Sequence, residues 1–281
     1  MSLLPFNLNQ AATPHLRVPP LGVDPNTPNI ARVYDYYLGG KDNFAADREL
    51  AEQVLKVVPN ARATARANRN FLVRATEAVA MAGIRQFVDL GTGILTSPNV
   101  HEVAQQIEPG AHVAYVDNDP IVLSHARALL AGTRPGVIAM DGDLRAPEQI
   151  FDRPALCAHI DFAHPVAILL VATLHLLTDE DGPELLVKTI RELMAPGSFL
   201  VLSHLWDDLD GVARAGAYEY ARRKASGRVV PRSKEQIAAF FDGFELIEPG
   251  LVFLDQWRPS EYMVGAGADD RLVLCAVGRK P

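Results

Sequence analysis

The sequence predicts an α/β fold, a mostly parallel sheet with helices on both faces. Five short apolar runs, at residues 86–90, 112–116, 137–140, 166–172 and 199–203, have the length and composition of buried strands. Segments of helical character at residues 100–107, 120–130, 146–151 and 183–193 separate them. Strands joined by crossover helices lie parallel and are buried on both faces, which explains continuous apolar runs instead of alternation. A sheet of this kind opens its ligand crevice at the carboxyl ends of its strands.

The elements follow in order. Residues 1–29 carry Pro5, Pro14, Pro19, Pro20, Pro25 and Pro28 with no apolar periodicity, so they read as an extended or partly disordered arm. Asn29 can cap a helix that carries Val33, Tyr34 and Tyr37, broken by Gly39-Gly40. A second helix is expected over residues 47–57, before Pro59, and a third over residues 64–81, ended by Gly83. Residues 30–82 therefore read as an N-terminal helical cap and residues 83–281 as the core. Within the core, residues 205–232 form an insertion whose amphipathic run, 212–225, is well placed to cover the crevice. A helix over residues 233–241 and two paired edge strands, 244–247 and 271–277, are expected to finish the chain.

Composition limits the function. The 281 residues hold 27 Lys plus Arg against 34 Asp plus Glu, a formal charge of −7, which argues against a whole-surface nucleic-acid binder. With 48% hydrophobic and 22% charged residues the chain can bury a sizeable core. Its longest apolar stretch, residues 166–177, is interrupted by Thr173 and His175 and falls short of the ~20 residues of a membrane span. The start, Met1-Ser2-Leu3-Leu4-Pro5, lacks the cationic and apolar pattern of a secretory signal. Cys157 and Cys275 read as two buried thiols of a cytoplasmic protein.

The chemistry is concentrated at three strand ends. Phe87-Val88-Asp89-Leu90-Gly91-Thr92-Gly93 is a strand ending in an acid and a Gly-x-Gly turn that lets a ligand approach the backbone. Thr96 stands where the dinucleotide version of the turn wants a further glycine, and Asp89 repels phosphate while attracting an ammonium group. In Tyr115-Val116-Asp117-Asn118-Asp119-Pro120, Asp117 is placed to accept from both hydroxyls of a ribose. In Met140-Asp141-Gly142-Asp143-Leu144-Arg145, Asp143 can accept from an exocyclic amine. Three acids at three successive strand ends suit a cationic nucleoside without phosphates.

At these residues the sequence resembles the class I S-adenosylmethionine-dependent methyltransferases. Residues 84–204 look like their core: Asp89, Gly91, Thr92 and Gly93 match the glycine motif, Asp117 the ribose acid, Asp143-Leu144 the adenine-contacting step, and residues 193–198 the turn before the fifth strand. Residues 31–44, Asn68-Arg69-Asn70-Phe71 and Trp257-Arg258-Pro259 look like a bacterial S-adenosyl methyltransferase family whose substrates are largely unassigned. The similarity runs from about residue 30 to residue 280. It implies a Rossmann-like sheet of seven strands with the last antiparallel and S-adenosylmethionine as cofactor, but supplies no substrate; a small-molecule acceptor is expected, and the charge balance and short apolar runs argue against a nucleic acid or membrane partner.

Further roles follow within that frame. Arg66 or Arg69 can reach the cofactor carboxylate, unless both belong to a solvated helix face. His175, just beyond the fourth strand, is the candidate general base; its other reading is a partly buried structural histidine. His204 is a second choice for the substrate pocket. Tyr34, Tyr36 and Tyr37 can wall that pocket or simply pack in the core. Trp257 and Arg258 support the insertion or brace the sheet edge. Gly39-Gly40-Lys41-Asp42 imitates a phosphate loop but has Asp42 where a hydroxyl should stand. No Gly-x-Ser-x-Gly elbow occurs, and residues 159–164 do not repeat in metal spacing. The alternative from another class is a non-catalytic S-adenosylmethionine sensor or partner protein. A nicotinamide oxidoreductase is disfavoured by Thr96 and the acidic crevice. A monomer or homodimer is expected.

Overall fold

The computed structural model describes residues 23–130, 135–207, 211–225, 227–259 and 271–281. Most of the proline-rich arm, residues 1–22, and residues 208–210 and 226 of the insertion lie outside the described residues. Helices α1 (Ile30–Leu38), α2 (Ala45–Val57) and α3 (Ala61–Met81) come first. Then follow β1 (Gln86–Leu90), α4 (Val100–Ile107), β2 (His112–Asp117), α5 (Pro120–Leu130), β3 (Val137–Asp141), α6 (Pro147–Phe151), α7 (Pro154–Cys157) and β4 (Ala167–Val171). After two single turns of 3-10 helix, Leu174–Leu176 and Asp179–Asp181, come α8 (Pro183–Leu193), β5 (Phe199–Leu205), α9 (Val212–Arg222) and α10 (Lys234–Ala239). Three more strands close the chain: β6 (Glu245–Leu246), β7 (Val252–Phe253) and β8 (Val273–Arg279).

The strands form one sheet in the order β3-β2-β1-β4-β5-β8-β6, with β7 also on β8. β1 to β5 pair in parallel, and β8 runs antiparallel to β5 over its whole length, Phe199 opposite Arg279 and Leu205 opposite Val273. The expected pairing with residues 244–247 is present, but β8 lies inside the sheet instead of at its edge. Val273, Leu274, Cys275, Ala276 and Val277 are all buried, so this strand needs neighbours on both edges. β6 and β7 share its outer edge, separated by the turn at Pro249, and together occupy the seventh position. Two-residue strands have no period to read, and β7 was not legible.

Successive strand side chains point to opposite faces, and both faces are covered. Phe87, Val113, Tyr115 and Leu169 belong to a core shared with α3 and α4. Val88, Ala114, Ile168 and Leu200 belong to a second core with α8 and α10. Trp257, fully buried, meets Phe71 of α3 edge to face at 5.3 Å. Arg74 reaches from α3 to the carbonyls of Leu254 (2.6 Å) and Trp257 (2.9 Å). Of its two readings, Trp257 braces the sheet edge. Cys275 is buried, but Cys157 is exposed, a correction: its short helix α7 packs through Leu156 instead. Among the described residues no helix is long and apolar enough to cross a membrane.

The N-terminal helices are held by buried polar pairs. Asn29 caps α1, its side chain accepting the Arg32 N–H at 3.2 Å. Asp47 accepts from Arg32 Nε (2.8 Å) and from the N–H groups of Asn29 (2.8 Å) and Phe44 (2.7 Å). It thus closes the first turn of α2, which starts two residues before the expected boundary. Asp35 accepts from the Asp42 N–H (3.0 Å) and the Asn43 amide (2.8 Å). A Cβ on Gly40 would fall 1.9 Å from an Asp35 oxygen, so glycine is required where that loop folds over the carboxylate. The Gly39-Gly40-Lys41-Asp42 segment is therefore a loop wrapped on Asp35.

The Arg32–Asp47 pair is shut off from water, with side-chain exposures of 4% and 0%. Removing one partner leaves the other charge buried alone. Asp47→Ala is expected to cost about 3–5 kcal/mol in urea unfolding; a loss below about 1 kcal/mol would show a pair no stronger than a surface one.

Candidate functional site

A cavity of about 900 Å³ opens at the carboxyl ends of β1, β2 and β4, with α1, α3 and α9 on its other side. It lies at the upper end of the range for small-molecule pockets, roughly 300–1,000 Å³. β1 delivers Asp89 to it and then turns at Gly91 (φ +71°), whose N–H bonds to the Val116 carbonyl at 2.8 Å. A Cβ on Gly91 would meet Thr173 Cγ2 at 2.4 Å. Thr173 is held there by its own bond to the Leu90 carbonyl (3.1 Å). The glycine thus lets the strand ends of β1 and β4 close on one another.

β2 delivers Asp117. One of its oxygens accepts the Gly93 N–H (2.8 Å) and the other the Asp119 N–H (2.9 Å), so the carboxylate straps the glycine turn to the end of β2. Each oxygen keeps acceptor capacity for a ligand. Burial nevertheless pushes the Asp117 pKa up, against these two bonds. Asp89 is 6% exposed. Burial, and then the neighbouring Asp117, raise its pKa to about 7, only partly countered by Arg69. Asp143 also lines the cavity but is paired with Arg145, Nε to Oδ1 at 2.8 Å and NH2 to Oδ2 at 2.5 Å, which holds its carboxyl below the usual range. An amine binding Asp143 shares it with Arg145. All three acids face one cavity, together with Gly91, Thr92, Gly93, Asn118 and Leu144.

The two arginine candidates separate. Arg69 lines the cavity while Arg66 is exposed and does not. Arg69 gives its NH2 to the Thr96 and Pro98 carbonyls, and its Nε is buried without a partner. Tyr34 and Tyr37 line the cavity, whereas Tyr36 turns away to Glu52 (2.6 Å).

The histidines also separate. His175 lines the cavity. Its Nδ1 accepts the Leu205 N–H at 3.3 Å, and a neutral ring accepting there carries its proton on Nε2. Burial, and then the positive Arg232, push its pKa down to about 4. His204 is not on the cavity, contrary to expectation: it is 0% exposed, with Nδ1 donating to the Leu205 carbonyl (2.8 Å) and Nε2 accepting from Arg232 (3.1 Å). His204, next to last in β5, is held inward, with Phe240 stacked on its ring at 5.8 Å.

Several residues at the site escaped sequence reasoning. Arg232, 2% exposed, ties the Leu174 and Leu177 carbonyls (3.1 and 3.0 Å) to Asp179 (2.8 Å), fixing the turn that carries His175. Its partners lie 28 to 58 residues away, so no local pattern announces it. Asn68 joins Tyr34 (3.0 Å) to Ser203 (2.6 Å), and Ser203 accepts the Ala172 N–H (2.9 Å). Asn68 stood in the motif Asn68-Arg69-Asn70-Phe71, a signal that could have found it. Tyr220 lay in the amphipathic run over residues 212–225.

A parallel sheet with a glycine turn after β1, an acid at the end of β2 and an antiparallel last strand define the class I methyltransferase fold. A family model described as S-adenosyl methyltransferase matches residues 18–281, and the chain belongs to that family, with S-adenosylmethionine as its cofactor. Among solved structures it is similar to one from Thermobifida fusca YX named as a candidate methyltransferase, at 42% identity and TM-score 0.86, covering 93% of this chain and 98% of that one. It is also similar to a DUF574 family protein from Streptomyces avermitilis MA-4680, at 37% identity and TM-score 0.85, covering 92% and 99%. No curated protein matches the chain. The residues present fit the cofactor: two buried acids face the cavity with Arg69 offsetting the burial of Asp89 only in part, and among the described residues the buried Arg69 Nε lacks an acceptor.

Gly91→Ala should destabilise the fold by about 1–3 kcal/mol through overpacking and the positive φ. Part of that should return in Gly91→Ala/Thr173→Ala, as a favourable coupling in a double-mutant cycle of denaturant midpoints. Strict additivity would show that Thr173 is not the obstacle.

Proposed function

We propose that this chain transfers a methyl group from S-adenosylmethionine to a small-molecule acceptor. The observation that carries the reading is the pair of buried acids, Asp89 and Asp117, facing one cavity, with Arg69 offsetting the burial of Asp89 only in part. When bound, the cofactor supplies a methyl carbon that takes a lone pair from the acceptor as its bond to sulfur breaks and sulfur keeps that pair. The protein's part is alignment. Asp89 holds the cofactor's ammonium group, Asp117 its ribose hydroxyls, Asp143 and Leu144 its adenine, and the Arg69 Nε its carboxylate. Gly91, Thr92 and Gly93 admit it close to the backbone, and Asn118 borders the adenosine.

In this reading residues 30–82 are a cap, residues 205–232 an insertion over the acceptor and residues 1–29 an arm. The protein acts in the cytoplasm, as a monomer or homodimer, without nucleic acid or membrane.

His175 serves the acceptor as a donor. A ring whose pKa lies near 4 is a weak base at neutral pH, and its proton sits on the nitrogen opposite Leu205. An acceptor hydroxyl then gives up its proton to solvent, while His175 Nε2 orients the attacking atom.

Calorimetry with S-adenosylhomocysteine tests the cofactor contacts. Asp117→Ala is expected to weaken binding by about 1–3 kcal/mol, the scale of lost bonds at a buried polar site. Because Asp89 must be ionised to attract an ammonium, affinity should hold above about pH 7 and fall, up to roughly tenfold per pH unit, below it. Asp89→Asn should bind more weakly and lose that dependence; a wild-type affinity flat across this range would remove Asp89 from the contact.

Acceptor-dependent formation of S-adenosylhomocysteine across a metabolite library separates enzyme from sensor. With an acceptor in hand, His175→Ala should slow turnover about tenfold, as for one lost hydrogen bond, and His175→Gln should recover most of it. A loss above roughly 100-fold that Gln does not restore would mark a base instead.

A further inference from the structure

The cavity is divided by charge. Its carboxyl and guanidinium groups sit at the strand ends and on the loops that follow them, where Asp89, Asp117, Asp119, Asp143, Arg145, Glu180 and Asp181 line it, and at Arg69 and the exposed Arg228. Among the described residues that α1, α2 and α9 contribute to the wall, none is charged. Tyr34 and Tyr37 come from α1, Val54 from α2, and Ala213, Gly216 and Tyr220 from α9. Gly216 brings α9 against α2: a Cβ there would meet Val58 Cγ2 at 2.9 Å.

One group in this wall is unfinished. Tyr37 is 5% exposed and its hydroxyl is buried without a well-formed hydrogen bond among the described residues, the Tyr220 hydroxyl beside it being a loose partner. Tyr34, by contrast, is satisfied, donating to the Ala65 carbonyl (3.0 Å) and accepting from Asn68 (3.0 Å). A buried hydroxyl with so loose a partner keeps unused donor and acceptor capacity, which is costly, so its place in a cavity wall points to a ligand atom that pairs with it. Burial, and then the neighbouring Tyr220, push the Tyr37 phenol well above its ordinary pKa, and burial raises Tyr220 to about 12. Both rings keep their protons at physiological pH and can donate.

We infer that the acceptor is a neutral, flat, largely apolar molecule, seated between α1 and α9, whose hydroxyl or carbonyl oxygen pairs with the Tyr37 hydroxyl. A carboxylate or ammonium placed there would lose its water and meet no counter-charge on these three helices. Aromatic faces instead favour flat apolar surface and leave the polar tip to set orientation. The inference rests on the cofactor reading, which assigns the acidic half of the cavity to S-adenosylmethionine.

The test uses the full chain saturated with S-adenosylhomocysteine and titrated, by calorimetry, with naphthol, naphthoate and naphthylmethylammonium. Naphthol is expected to bind at least about tenfold more tightly than either ion. Tyr37→Phe should weaken naphthol roughly 3- to 10-fold, one hydrogen bond, with S-adenosylhomocysteine affinity unchanged. Ala217→Leu, which fills the same space from α9, should abolish naphthol binding and also spare the cofactor product. Either ion binding as tightly as naphthol, no naphthol binding, or a Tyr37→Phe protein with wild-type naphthol affinity would overturn the inference alone. A folded wild-type protein that fails to bind S-adenosylhomocysteine would instead overturn the cofactor reading beneath it.

Discussion

Two carboxylates buried side by side at the ends of β1 and β2 constrain everything else around the cavity. Raising Asp89 from 3.8 to about 7 means that its charged form is disfavoured by about 4 kcal/mol at neutral pH relative to solvent. A fold keeps such a cost only where the rest of the structure imposes it. Here the imposing parts are visible. Both strands are interior to a parallel sheet, so their side chains cannot turn to solvent, and Asp117 is strapped to the Gly93 and Asp119 N–H groups. A phosphate would aggravate the repulsion, and a cation relieves it. The same arrangement therefore disfavours a dinucleotide's phosphates and favours a positively charged nucleoside.

The helical side of the cavity is tied to the sheet by polar chains that cross the interior. Asn29, which caps α1, also donates its amide to Asp119 (2.5 Å), and Asp119 in turn accepts the Ile121 N–H (2.7 Å) at the start of α5. Tyr34, Asn68 and Ser203 connect α1, α3 and β5 in one line that ends at the Ala172 N–H. Ala172 holds φ +57°, an uncommon conformation for a residue with a side chain, and the Ser203 hydroxyl and carbonyl both accept its N–H. Arg232 does the same for the next turn, and burial, with its charge in support, pushes the pKa values of His175 and His204 down. The helical wall of the cavity is thus positioned by hydrogen bonds anchored in the sheet and not by the loops' own preferences.

Much of this was legible in the chain. The helices at Val100–Ile107, Pro120–Leu130 and Pro183–Leu193 begin and end where their periodicity and prolines place them. The acids at three strand ends were found because a short buried strand followed by a polar residue is a local pattern. What failed to be legible depended on distant partners. His204 looked like a pocket residue because it ends a strand, but Arg232 and Phe240, both far along the chain, turn it inward. Arg66 and Arg69 are indistinguishable on a helical wheel until the loop carrying Thr96 and Pro98 engages one of them. Cys157 was expected inside by residue habit, yet its one-turn helix buries Leu156.

By itself the sequence determined the alternation of strands and helices, the glycine turn and the acidic strand ends, because each is encoded within a few neighbouring residues by periodicity, by steric freedom at φ above zero, or by charge. Only the tertiary structure decided which side chains share the cavity, where β8 enters the sheet, and which tautomer His175 and His204 hold. Those depend on burial and on partners dozens of residues apart, and such quantities exist only once the chain has closed on itself.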